Sequence, residues 1–132
     1  MASYNKFTPA IATLLGSINT GTDSWVIKLA TAVNQSAGTI TEVASGNGYT
    51  TGGNAASTSS SGQTGGTYKL VLNSPTAWTA TGAGFSFQYA VLVDSTTSTN
   101  VGYWDYGISQ AVAAGETVTV TLDGTNGVFQ AT

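Results

Sequence analysis

The chain has 132 residues, no Cys and no His, and three basic residues, Lys6, Lys28 and Lys69, against six acids, for a net charge of −3. That length suits one domain with a core of ordinary size, while the composition excludes disulfides, thiolate metal sites and chemistry that needs a Cys nucleophile or a His base. Without a Lys/Arg cluster there is no electrostatic footprint for nucleic acid or an anionic membrane, so neither is expected as a partner.

Charged residues make up 7% of the chain, whereas Ser and Thr together number 37, so the surface must be hydroxyl-rich or substantially covered by partners. No apolar run approaches the length of a transmembrane helix, and a soluble protein is expected. Lys6 precedes the apolar stretch "AIATLLGSI", residues 10 to 18, but Pro9, Thr13 and Gly16 interrupt it, which makes a poor export signal.

In chain order, the first element is a short N-terminal helix or arm. Thr8 can cap, Pro9 suits the first helical position, and Phe7, Ile11, Leu14, Leu15 and Ile18 recur at spacings of three and four. From residue 24 the pattern is β. "SWVIKLAT" (24 to 31) sets Trp25, Ile27 and Leu29 on one face and Val26, Lys28 and Ala30 on the other. "TITEVA" (39 to 44) and "TYKLVLN" (67 to 73) are further strands, and "ETVTVTL" (116 to 122) alternates Val118, Val120 and Leu122 inward with Thr outward. "DGTNG" (123 to 127) supplies a turn before a last short strand, "VFQA". Residues 45 to 66, rich in Gly, Ser, Thr and Asn, are expected as a long mobile loop or an extended excursion. The whole reads as one mainly β domain, an antiparallel β-sandwich of jelly-roll or immunoglobulin-like type.

The stretch "QYAVLVDSTTSTNVGYWDYG" (88 to 107) is apolar or aromatic on both faces. With a loop at Ser95 to Thr99, Asp94 pairs with Asn100, Val93 with Val101, Val91 with Tyr103 and Tyr89 with Asp105, and Phe85 and Phe87 extend that face. The opposite face holds Ala90, Leu92, Gly102, Trp104 and Tyr106, too large an apolar patch to leave in water. The N-terminal helix, the 45 to 66 loop or another chain is expected to cover it.

Catalysis would rest on Asp23, Glu42, Asp94, Asp105, Glu116 and Asp123. Asp94 and Asp105 lie at opposite ends of that hairpin, roughly 16 Å apart at strand rise, beyond the reach of a glycosidase pair. "GNGYTTGG" and "GQTGG" lack the Lys of a P-loop and the strand–helix setting of a dinucleotide fingerprint, and "DGTNG" lacks the spaced acids of a calcium loop. No enzymatic activity, metal or cofactor is expected. Trp25, Trp78, Trp104 and Tyr106 could instead form a sugar-binding platform.

Several motifs occur in succession: the opening "MASYNKFTPAIATLLGSINTGTDSWVIKLATA", "GYTTGG" from Gly48 to Gly53, "YAVLVD" from Tyr89, "GYWDYG" from Gly102, and "DGTNGVF" after a closing Thr/Val strand. In order and spacing, over most of the chain except 54 to 66, they resemble a group of small tailed-bacteriophage virion proteins. Trp104 and Tyr106 stand where that group would have an aliphatic residue and a Phe. The resemblance implies a non-enzymatic β-sandwich on the virion, with head decoration (cement) as the favoured role. It also implies the major capsid protein and copies of the chain itself as partners, with a homotrimer as the oligomer. Contacts are expected from Tyr4, Asn5 and Phe7, from Tyr49, Thr50 and Thr51, and from Trp104 and Tyr106. A tail, neck or fibre component and a free carbohydrate-binding module are the alternatives.

Overall fold

The alternation that begins at residue 24 becomes antiparallel ladders in the computed structural model, which describes residues 3–10, 16 and 18–131. In chain order the strands are β1 (Tyr4–Lys6), β2 (Trp25–Asn34), β3 (Thr39–Glu42), β4 (Asn54–Ala55), β5 (Thr58–Thr64), β6 (Thr67–Leu72), β7 (Trp78–Thr79), β8 (Phe85–Asp94), β9 (Thr99–Val112), β10 (Thr117–Val118) and β11 (Phe129–Ala131). A six-stranded sheet runs β1-β9-β8-β2-β3, with β4 also paired to β2; β11-β6-β5 and β10-β7 form two smaller sheets. The fold is mainly β and antiparallel, a sandwich with its main core between the large sheet and the smaller ones.

That core takes Trp25, Ile27 and Leu29 from β2 and Ala90 and Leu92 from β8, packed with Leu70, Leu72, Trp78, Val118, Val120 and Leu122. Burying each large aliphatic side chain stabilises by roughly 1.5–3 kcal/mol relative to leaving it in water. Thr117, Thr119 and Thr121 are exposed between the buried Val118, Val120 and Leu122, as the alternation requires, although the ladder itself is confined to Thr117 and Val118.

The second apolar face of the large sheet is covered by the chain's own N-terminal segment. Phe7 and Ala10 pack with Ala30, Val91, Val93 and Tyr103, joined at the margin by Val26, Val33, Ile40 and Tyr89. The segment is pinned by backbone bonds from Phe7 N–H to Val101 (3.1 Å) and Thr8 N–H to Gln35 (2.9 Å), and by the Gln35 side chain donating to the Lys6 carbonyl (2.8 Å). The short helix expected from Phe7 to Ile18 falls mainly on residues 11–15 and 17, outside the described residues.

The expected register of the β8–β9 hairpin holds at Val91↔Tyr103 and Tyr89↔Asp105 but not at its tip, where Asp94 pairs with Thr99 and Val93 with Asn100. The Asp94 carboxylate accepts the Thr96 and Thr97 N–H groups (2.9 and 3.2 Å), and Ser98 takes a positive φ of 56°. This closes a four-residue loop, one shorter than expected, so Val101 becomes the extra residue of a bulge and turns into the main core. A second irregularity lies between Phe87 and Tyr89. There Gln88 interrupts the alternation, so Phe85 and Phe87 join the main core rather than extending the Val91 face.

Residues 45–66 take the extended form of the two expected. After a turn at Gly46–Tyr49 and the short β4, β5 forms a hairpin with β6 through Gly65 and Gly66. Both glycines have positive φ, 58° and 81°, which is what a tight two-residue hairpin turn demands.

Candidate interaction surface

Tyr4 and Asn5 lie on β1, paired with Trp104 and Tyr103 of β9. The Tyr4 and Trp104 rings sit 5.2 Å apart at 59°. Tyr4 reaches this position because Gly102 has no side chain: a Cβ there would stand 2.1 Å from the Tyr4 hydroxyl. That hydroxyl is buried without a hydrogen-bond partner among the described residues, and burial pushes the phenol up to about 12. Beside the two rings, a cleft of about 350 Å³ is lined by Leu122, Val128 and Phe129 among others.

The patch expected on the Trp104 face is therefore reduced. Ala90, Leu92 and Gly102 are buried, Trp104 is half-buried beside Tyr4, and Tyr106 keeps 37% of its surface exposed. Tyr106 packs edge-on to Phe87 at 5.4 Å. Two residues on, Ile108 is 72% exposed, a residue the sequence reading passed over. Residues 106–109 are the inserted part of β9, since Phe87 pairs with Gln110 and Tyr89 with Asp105. Gly107, at φ 87°, makes the bend, and Asp105 holds it by accepting the Gly107 N–H (2.8 Å) and the Gln88 amide (3.1 Å). A Gly inside a strand pattern is the usual mark of such a bulge, so "YGIS" carried the available signal.

The remaining expected contact residues divide by exposure. Phe7 (0%) and Tyr49 (2%) are buried in the chain's own cores, whereas Thr50 and Thr51 are exposed. Tyr49 plugs the Gly-rich turn into the main core. Its hydroxyl donates to Glu42 (2.7 Å) and accepts the Leu29 N–H (3.1 Å), and burial together with the Glu42 carboxylate raises its pKa. Glu42 also accepts the Gly52 N–H (2.6 Å) and pairs with Lys28 at 3.6 Å. At Gly53 a Cβ would stand 2.0 Å from the Ile27 carbonyl, so "GYTTGG" is built for close backbone approach.

Among the acids, Asp94 and Asp105 stay apart along the hairpin, but Asp23 and Asp94 meet. Burial and the neighbouring Asp23 carboxyl push the Asp94 carboxyl above its ordinary range, against the pull of the Thr97 and Thr96 N–H groups. Asp94 is fully buried and closes the hairpin loop, a structural task. Among the described residues no three acids gather in one place. Of the possible sugar platform, Trp25 and Trp78 are buried at 3% exposure and Trp104 leans on Tyr4. Compared with family models, curated proteins and solved structures, the chain finds no match.

Proposed function

We propose that this chain is a non-enzymatic structural protein of a tailed-bacteriophage virion, acting as a decoration protein that binds the outer surface of the head shell and stabilises it. The observation that carries this reading is the Asp105-anchored bulge, which holds Ile108 and Tyr106 out to solvent on a surface otherwise rich in hydroxyls. An apolar projection of this kind suits a protein-binding anchor. The bulge opens within "GYWDYG", one of the motifs on which the resemblance to phage virion proteins rests.

Binding to the assembled shell stabilises it by mass action, and oligomers at capsid symmetry axes multiply modest single contacts. A homotrimer presenting three bulges to the major capsid protein meets that need. A tail, neck or fibre component would use the same fold at low copy number. The sugar-binding alternative is weakened, because its Trp rings are buried or half-buried.

The test is to add purified protein to head shells that lack it and to measure occupancy and the temperature at which the shells open. Wild type should bind and raise that temperature, and Ile108→Ser should bind at least ~10-fold more weakly, the equivalent of about 1.4 kcal/mol. Binding unaffected by Ile108→Ser would remove the bulge from the interface. No binding of wild type would overturn the decoration role.

A further inference from the structure

Strand β5, Thr58–Thr64, has the sequence TSSSGQT and is exposed at every position. It ends the sheet β11-β6-β5. One edge pairs with β6, and among the described residues no strand pairs with the other. Open edges of this length are usually blunted by charge, Pro or cover. The ends of the large sheet follow that rule, with Lys6 on β1 and Glu42 on β3. β5 carries no such charge, since no charged residue occurs between Glu42 and Lys69, and the one irregularity in its pairing with β6 lies at its start, between Thr58 and Ser60.

The register identifies which backbone groups are free. In a two-residue hairpin the flanking pair, Thr64 and Thr67, exchanges both hydrogen bonds, and bonded pairs alternate from there. Gly62 is thus bonded to Lys69, while Ser61 and Gln63 turn their N–H and C=O groups away from β6. The other side of the ladder agrees, because the Leu70 carbonyl, opposite Ser61, is already taken by Val128 N–H (2.9 Å) on β11. Ser61 points its side chain toward the core side, where Gly21 approaches it.

We infer that the open edge of β5 pairs antiparallel with β5 of a second copy across a two-fold axis centred on Ser61, joining two three-stranded sheets into one of six. The occupant follows from the strand's chemistry. Ser61 meets its own image, and Gly62 meets Ser60, so no like charges oppose each other and no bulky side chain collides. Apolar residues are absent from β5, so it has nothing to offer a hydrophobic groove; what it presents is a row of backbone donors and acceptors, which its own image complements. Such a two-fold contact can join single chains or link neighbouring homo-oligomers.

Gly62→Glu tests the inference. A Cβ at Gly62 meets nothing within 4 Å, and the introduced carboxylate would face Lys69 within its own hairpin, a favourable cross-strand pair. Across the two-fold axis the two new carboxylates share a face and repel. Sedimentation over a concentration series should show wild type reaching twice the mass of the variant. In concentrated wild type, hydrogen exchange should slow at the Ser61 and Gln63 N–H groups, and Gly62→Glu should abolish that slowing while Thr64 stays protected in both. Equal masses at every concentration, or rapid exchange at Ser61 and Gln63 in wild type, would overturn the proposal. Because the measurement uses the free protein, it can fail without touching the shell-binding reading, and shell binding can fail without touching it.

Discussion

The Phe7 ring lies 5.1 Å from the Tyr103 ring, tilted by 56°, and this contact explains how a sheet apolar on both faces stays out of water. One face of β8 and β9 builds the sandwich core. The other is closed by a segment that returns from the N-terminus, crosses the hairpin and buries Phe7 completely.

Truncating that ring should therefore destabilise the isolated protein. Phe7→Ala removes a fully buried aromatic, a change that typically costs about 3–5 kcal/mol, and urea denaturation would read it. A loss below about 1 kcal/mol would mean that the second face draws its cover from elsewhere.

Tyr49 is held by its hydroxyl as much as by its ring. Tyr49→Phe leaves the buried Leu29 N–H without its acceptor and deprives Glu42 of a donor. The expected cost is roughly 1–3 kcal/mol, measurable by thermal or chemical denaturation.

Gly102→Ala should lift β1 from the sheet edge. The new Cβ would collide with the Tyr4 ring, so Tyr4 has to leave Trp104. A red shift in Trp emission and a destabilisation of about 1–3 kcal/mol are expected; an unchanged spectrum would contradict the packing described for Tyr4.

The Asp23–Asp94 contact makes stability depend on pH. Because the Asp94 carboxyl is raised in the folded state, the folded protein retains a proton that the unfolded chain releases near pH ~3.9. The stability contributed by this proton is complete below that pH and is lost as pH rises through the raised folded value. Asn keeps the acceptor for Thr96 and Thr97 and places no charge in the buried site beside Asp23. Asp94→Asn should thus be more stable than wild type at pH 7 by about 1–2 kcal/mol, with a flatter stability–pH curve above the ordinary carboxylate range. Equal or lower stability at pH 7 would contradict a raised Asp94 carboxyl.

The residues that simple alternation reveals are those whose strands stay regular. Trp25, Ile27 and Leu29 against Val26 and Ala30, and Val118, Val120 and Leu122 against Thr, could be read directly. Where β8 and β9 are irregular, period-two reasoning fails: Gln88 and Val101 each change which face a neighbour serves, and the Tyr106–Ser109 insertion exposes Ile108. Tyr49 was hard to place because a Gly- and Thr-rich setting reads as surface, although those glycines allow the backbone to approach Ile27 closely and seat the ring in the core. The Asp23–Asp94 contact joins residues far apart in the chain, and no local pattern encodes it. The apolar excess on both faces of the hairpin was legible, but whether the chain or a partner covered it depended on where Phe7 landed.

The proposed decoration role is tested most directly by quantitative mass spectrometry of tailed-phage virions purified from a culture that produces the chain, counting it against the major capsid protein. A copy number comparable to that of the capsid protein is the predicted result. A few copies per particle, or absence from the particle, would contradict the account and move the chain to the tail or neck, or out of the virion.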